Sequence, residues 1–524
     1  MLEGLRRSPL RGLAGVALVL VGAGSIVMST AFRTPISARL LGPDAPVDAG
    51  AFDARNIDSN NSPTLDRNPL RPGNLALANR IDTPRYACAL HVSFDGGVSW
   101  RGTPIPLPPG EERKCFAPDL AFASDGRLYL SFVTLKGRGN VPHAVWLTSS
   151  TDGGRTLSPP IKALGDLAFQ VRLAVERGNP RQVHLTWVQG GKIGFLRFSG
   201  TDNPIMSERS DDGGTTWGAP VRVSSLARRR VVAPSPVLGA RGELYVLYLD
   251  LGDDRLDYDG GHGGEGGPPY RGTYRLVLGR SLDGGSTWGE SVVDPAIRPI
   301  GRFVVFYPAY PSIAVDRRSG RIYVAYHDAR DGDPDVLVWS LAAGGTKRWR
   351  GPVRVNATRR HDGTAQYLPR LAVAPDGRLD IVYYDRRADP RNIANRVSLQ
   401  SSDDAGRSFG PAVTLASRRF DSRIGFGSKH GLADLGSRLA LISDDRRALA
   451  VWTDTRAGTV ATNKQDLVRA VVAFSAPARL SATAKGALRY GGAALALLGI
   501  ALLFRATFAA APQPAEDPPE PDEE

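Results

Sequence analysis

One eight-residue pattern recurs along this chain, and it requires tight turns between short strands. The first copy, SFDGGVSW, carries Ser93, Asp95, Gly97 and Trp100. Further copies carry Ser150, Asp152 and Gly154; Ser210, Asp212, Gly214 and Trp217; and Ser281, Asp283, Gly285 and Trp288. A last clear copy holds Ser402, Asp404, Gly406 and Phe409, and a degenerate one begins at Ser340 with Ala342 in place of the Asp. Asp and Ser side chains hydrogen-bond turn amides, and Gly supplies the positive φ that a hairpin turn needs. The closing aromatic then packs back on the hairpin. Asp and carbonyl oxygens also suit Ca²⁺, but a structural turn accounts for the octads, so no metal or other cofactor is expected.

Each octad sits in a longer unit. A Pro-led apolar strand, a turn and a second apolar strand precede it, as from Pro311 to Asp328 and from Pro369 to Asp385. A third strand enters the octad and a fourth leaves it. Four-stranded units repeated in series build a propeller. Seven units give seven blades, with six as the alternative because the last unit, after Leu432, lacks an octad. The fold class is therefore all-β, a β-propeller over residues 60–475 with no internal boundary. The 59 Gly and 39 Pro fit a chain rich in turns.

The octads resemble the Asp-box, or bacterial neuraminidase, repeat, and the blade pattern resembles the sialidase-like superfamily. The resemblance implies an Asp-box propeller. It does not fix an activity, because this blade serves hydrolases, receptors and assembly factors alike. Sialidases of the superfamily hold a sugar carboxylate with three arginines and use a Tyr–Glu pair and an Asp. Their first arginine lies in a Phe/Tyr-Arg-Ile-Pro motif opening the first blade. Here that position reads Asn60-Asn61-Ser62-Pro63, and the similar Phe32-Arg33-Thr34-Pro35 abuts a hydrophobic segment instead.

Three successive second strands end in Asp-x-Arg, at Asp328 and Arg330, Asp385 and Arg387, and Asp454 and Arg456. One reading places Arg330, Arg387 and Arg456 around an anion-binding mouth, because guanidinium forks match carboxylates. The other makes them blade-to-blade ion pairs. The stretch Asp333-Pro334-Asp335 resembles the sialidase acid/base loop. Tyr307, Tyr367 and His430 open inner strands nearby. A hydrolase would use Asp333 or Asp335 as acid/base and Tyr367 as nucleophile. A Gly- and Asp-rich insertion from Asp253 to Gly267 is a candidate binding loop whose spacing matches no EF-hand.

The termini carry different information. A basic N-terminus over residues 1–12, with Arg6, Arg7 and Arg11, precedes an uncharged stretch at 13–32. That stretch is long enough to cross a bilayer, and its flanking charge keeps the N-terminus cytoplasmic. It is either a cleaved signal, with Ser29-Thr30-Ala31 as a cleavage site, or a retained anchor. A second apolar segment at 487–508 reads as a membrane helix, and residues 512–524 as an acidic, Pro-rich disordered tail. The propeller is then extracytoplasmic, on a cell membrane. Cys88 and Cys115 are the only cysteines; they form either one disulfide or two buried thiols, and no zinc spacing exists. The net charge is +13, but the arginines are interleaved with aspartates along the chain, which argues against nucleic acid.

These features point first to a binding or scaffolding module for a glycan, an acidic ligand or an envelope protein. The alternative is an exo-sialidase-type glycoside hydrolase with a divergent site.

Overall fold

The computed structural model describes residues 9–31, 36–48, 50–53, 55–176, 178–191, 202–254, 270–300, 309–345, 348–425, 434–475 and 482–508. They form two compact units, Ala38–Phe474 and a unit made of the two terminal segments.

The larger unit is a propeller of seven antiparallel sheets. Blade 1 comprises Asn60–Arg67, Leu75–Ile81, Ala87–Ser93 and Arg101–Thr103. Blade 2 comprises Cys115–Phe122, Leu128–Lys136, Val141–Ser150 and Ile161–Leu164. Blade 3 comprises Ala168–Val175, Val183–Gln189, Ile205–Ser210 and Val221–Arg222. Blade 4 comprises Val231–Leu238, Leu244–Asp250, Tyr274–Ser281 and Gly289–Ile297. Blade 5 comprises Ser312–Val315, Ile322–Asp328, Asp335–Leu341 and Arg350–Arg354. Blade 6 comprises Gln366–Val373, Leu379–Asp385, Ala394–Ser402 and Val413–Thr414. Blade 7 takes Ala440–Ser443, Arg447–Asp454 and Asp466–Phe474 from the end of the ring.

The outer strand of blade 7 comes from the other end of the chain. Ala38–Leu40 pairs with Asp466–Phe474, matching Ala38 to Phe474 and Leu40 to Val472, and Ala45–Pro46 extends the pairing. This is why the seventh unit lacks an octad: its fourth strand does not follow its third. The ring thus includes residues ahead of the repeats and closes without a free first or last blade.

Second strands lie between two neighbouring blades, so both of their faces are covered. Leu244–Asp250, Ile322–Asp328 and Leu379–Asp385 are buried at every position, which is why they read as unbroken apolar runs. Between blades 5 and 6, Tyr323, Val338, Leu371, Leu379 and Ile381 form one such layer. Each side chain buried there contributes about 1.5–3 kcal/mol.

The octads share one geometry. Ser93 Oγ donates to Asp95 Oδ1 at 2.7 Å and accepts from Gly97 N–H at 2.8 Å. The same pair of bonds recurs at Ser150, Ser210, Ser281 and Ser402. The Asp then accepts from the residue four ahead, as Asp212 does from Thr216 N–H at 2.9 Å and from its hydroxyl at 2.7 Å. These bonds, led by the Thr216 hydroxyl, hold the Asp212 carboxyl well below its ordinary pKa. Thr287 does the same for Asp283, to about 2. Cys88 and Cys115 form a disulfide joining the third strand of blade 1 to the inner strand of blade 2.

In the terminal unit, α1 (Pro9–Ala31) and α2 (Ala482–Phe508) pack antiparallel through glycines. A Cβ on Gly22 would stand 2.4 Å from the Gly492 carbonyl oxygen, and one on Gly15 2.9 Å from that of Gly499. Backbones come this close only where side chains are missing. Each helix is long and apolar enough to cross a membrane, over Arg11–Met28 and Thr483–Ala506.

Candidate functional site

The inner strands carry a shared irregularity that aims one residue per blade at the axis. In blades 1, 2, 3, 4 and 6 the pairing slips by one residue. Ser62, Ala117, Gln170, Ala233 and Leu368 take positive φ there. Such a bulge re-aims the next side chains. Two positions on stand Thr64, Asp119, Arg172, Ser235 and Arg370. Thr64 pairs with Ala78, Asp119 with Ser131, Arg172 with Thr186 and Arg370 with Val382, the fourth residue of the second strand each time. Ser312, opposite Ala325, and Arg438, two residues after Gly436 at φ 76°, are the counterparts in blades 5 and 7.

These side chains meet across the ring. Arg172 of blade 3 forms an ion pair with Asp119 at 3.1 Å and reaches past it to Thr64 Oγ1 of blade 1 at 3.4 Å. Arg438 of blade 7 donates to Thr64 Oγ1 at 3.1 Å and to the Pro118 carbonyl of blade 2 at 3.0 Å. Contacts between blades that are not neighbours run through the axial channel. The Tyr310 ring sits 5.3 Å from the Arg172 guanidinium and 5.6 Å from that of Arg438, within cation–π range of both.

Arg370 is the exception in this cluster. Its guanidinium makes no hydrogen bond or ion pair among the described residues, and its Nε is a buried donor without an acceptor. Burial first, then the charge of Arg172, pulls its pKa down to about 10. Burial and Arg172 pull Arg438 to about 9. The carboxylates acting on Arg370 are Asp119 and Asp66. Asp119 is already held by Arg172, and Asp66 accepts the amides of Arg67 and Phe122. Among the described residues, the guanidinium groups of Arg172, Arg370 and Arg438 thus gather in the channel while the nearby Asp119 and Asp66 are already engaged. That arrangement attracts an anion, and a carboxylate fits the fork geometry of arginine.

The residues singled out from the sequence lie elsewhere. Arg330 is closed onto Asp328 and onto Asp294 in the outer strand of blade 4, at 2.9 Å to the latter. Arg456 is closed onto Asp454 and Asp44, with Ser417 beyond the outer strand of blade 6 as a third partner. Arg387 pairs with Asp385 at 2.6 Å and donates to the Tyr383 hydroxyl at 3.0 Å. The three share no partner: Arg330 forms an ion pair with the outer strand of the preceding blade, Arg456 reaches the preceding blade through a hydrogen bond to Ser417, and Arg387 stays within its own blade. Asp335 is buried between Arg354 and Asn356, at 2.9 and 2.7 Å, with its pKa raised by burial. Asp333 accepts the Gly363 amide at 2.8 Å.

Tyr367 has no solvent exposure. Its hydroxyl donates to Asn395 at 2.8 Å and accepts from Arg386 at 3.2 Å, and burial raises its pKa. It is packed and bonded, with no open face for a substrate. Tyr307, His430 and most of the Gly- and Asp-rich insertion lie outside the described residues.

The axial arginines were missed for a simple reason. Read as apolar runs, the inner strands hide a single charge near their start. The signal was present at the residue directly after the strand-opening proline, in Pro118-Asp119 and Pro369-Arg370, and at the equivalent Val171-Arg172 and Ser437-Arg438.

No family model and no curated protein matches the sequence. Among solved structures, a protein of unknown function from Dyadobacter fermentans aligns with a TM-score of 0.46 at 15% identity, covering 84% of this chain and 99% of that one. A Hadza microbial sialidase aligns with a TM-score of 0.41 at 14% identity, covering 77% and 74%. A lectin from Burkholderia pseudomallei aligns with a TM-score of 0.45 at 13% identity, covering 72% and 87%.

Proposed function

We propose that this chain is a membrane-anchored, extracytoplasmic propeller that binds an acidic ligand, foremost a carboxylate-bearing glycan, at its axial arginines. The observation that carries this reading is Arg370, a half-buried guanidinium in the channel whose buried Nε has no partner among the described residues. A partly desolvated guanidinium loses hydration that these residues do not return, and an acidic ligand can return it. A bound carboxylate does so. Binding is favoured over hydrolysis because the channel offers no free carboxylic acid among the described residues: Asp119 is ion-paired and Asp66 is hydrogen-bonded.

Three features support the location. Both terminal helices are apolar and long enough to span a bilayer. Arg6 and Arg7 precede the first of them and Arg11 lies in its first turn, and basic flanks stay cytoplasmic. The Cys88–Cys115 disulfide suits an oxidising compartment. The packing of α1 on α2 favours a retained anchor over a cleaved signal, since cleavage after Ala31 would remove half of that interface.

The test is thermal unfolding of the full chain in nanodiscs with glucuronic acid, N-acetylneuraminic acid or uncharged glucose. A ligand at one hundred times its Kd adds about 2.7 kcal/mol of stability. The acidic sugars are expected to raise Tm, and Arg370→Met to abolish the rise. An equal response to glucose, or none to any sugar, would overturn the proposal.

A further inference from the structure

The segment that opens blade 5 reaches across the axis. The main-chain N–H of Tyr310 donates to the Ser437 carbonyl of blade 7 at 3.2 Å. Blades 5 and 7 are not neighbours, so this bond runs through the channel. On the other side the Ser235 hydroxyl of blade 4 donates to the Pro311 carbonyl at 2.7 Å. Tyr310 and Pro311 are thus pinned between blade 4 and blade 7.

The Tyr310 side chain is fixed as well. Its ring lies against the guanidinium groups of Arg172 from blade 3 and Arg438 from blade 7. Arg172 and Asp119 act electrostatically on both Tyr310 and Arg370, so the phenol and the open guanidinium flank the same ion pair. Burial raises the Tyr310 pKa, which keeps the phenol protonated at neutral pH.

Other polar side chains of the channel are engaged. Thr64 accepts from Arg438, Asp119 holds Arg172, Ser235 donates to Pro311, and Ser312 accepts the Leu371 amide at 3.0 Å. Gln170 accepts the Ala233 amide. The Tyr310 hydroxyl makes no hydrogen bond among the described residues. Tyr310 and Arg370 are both half-buried. The phenol oxygen and the terminal nitrogens of Arg370 keep accessible surface, and in Arg370 the Nε is the atom that is sealed. A tyrosine held at its main chain and at its ring therefore presents an O–H to the channel with no acceptor in place, although hydroxyls in such surroundings ordinarily find one.

We propose that Tyr310 sets the specificity of the axial site: its hydroxyl donates to an ether or ring oxygen beside the carboxylate that the arginines hold. The site then selects 2-alkoxy acids, the form a sugar acid takes, over plain carboxylic acids. This inference rests on the axial reading given above and adds which acid the axis takes. A carboxylate alone satisfies the guanidinium forks and leaves the phenol proton unmatched. A neutral oxygen one carbon away accepts that proton and brings no further charge into the channel.

The probes are tetrahydropyran-2-carboxylic acid and cyclohexanecarboxylic acid, which differ by one ring oxygen, titrated calorimetrically into the full chain in nanodiscs at neutral pH. Tyr310→Phe removes the hydroxyl and keeps the ring. The oxane acid is expected to bind the native chain more tightly. Tyr310→Phe should weaken it about five- to ten-fold more than it weakens the cyclohexane acid, the size of one hydrogen bond. A structural effect of the substitution falls on both acids and cancels in the difference. Arg370→Met should cost both acids their binding. Equal effects of Tyr310→Phe on the two acids, with both still dependent on Arg370, would overturn the role of Tyr310 and leave the axial site standing. No binding of either acid, or binding that survives Arg370→Met, would overturn the axial reading and this inference with it.

Discussion

A guanidinium in a narrow channel loses its hydration, and Arg370 recovers none of that loss from the described residues around it. Arg370→Met should therefore leave the fold intact and raise its stability by about 1 kcal/mol, since it removes a desolvated donor that has no acceptor among the described residues. Equilibrium unfolding measures this directly. A loss of stability would mean that Arg370 has a structural partner. Asp283 shows the opposite use of charge. Thr287 depresses its carboxyl to about 2, below the ordinary 3.8. A depressed folded-state pKa adds stability that is present above the unfolded value and lost as pH falls through the folded one. Between about pH 4 and 2 the octad turns should therefore lose stability together. Asp283→Asn should lower Tm at neutral pH and flatten the acid limb of an unfolding-versus-pH curve. An unchanged acid limb would remove the octads from the account of stability.

At the scale of elements, two closures hold the chain. The outer strand Ala38–Leu40 completes blade 7 through main-chain bonds to Asp466–Phe474. Leu41 N–H donates to the Val471 carbonyl at 2.7 Å, and proline lacks that N–H, so Leu41→Pro should open the ring and lower Tm. Limited proteolysis should then cut first in residues 38–46; first cleavage elsewhere would show that the closure is not the weak point. The other closure is the glycine contact of α1 with α2. Gly22→Leu places a side chain where the Gly492 carbonyl already stands and should separate the helices. N-terminal sequencing of the membrane form should find α1 still attached to the mature chain. A mature chain lacking α1 would refute the retained anchor.

Across the whole molecule, what could be read from the sequence depended on how local each contact is. The octads were legible because Ser, Asp and Thr bond within four residues of one another, as Ser210, Asp212 and Thr216 do. The second strands were legible because burial on both faces leaves only apolar residues. Blade 7 was counted but not completed, since its outer strand is joined to the third only through the termini. The Asp-x-Arg pairs stood out as a motif, yet their further partners, Asp294 on an outer strand and Asp44 just before Ala45–Pro46, share no pattern with them. The axial cluster needs seven blades to bend one residue each toward a common line. Insertions of different length between blades hide that alignment until the ring is closed.

The central claim is that the axis takes a carboxylate. Its most direct measurement is the heat of binding of glucuronic acid to the full chain and to Arg370→Met at two salt concentrations. Saturable binding that weakens with salt and is lost in the variant is the predicted result. Binding of the same strength in both proteins, or no heat in either, would contradict it.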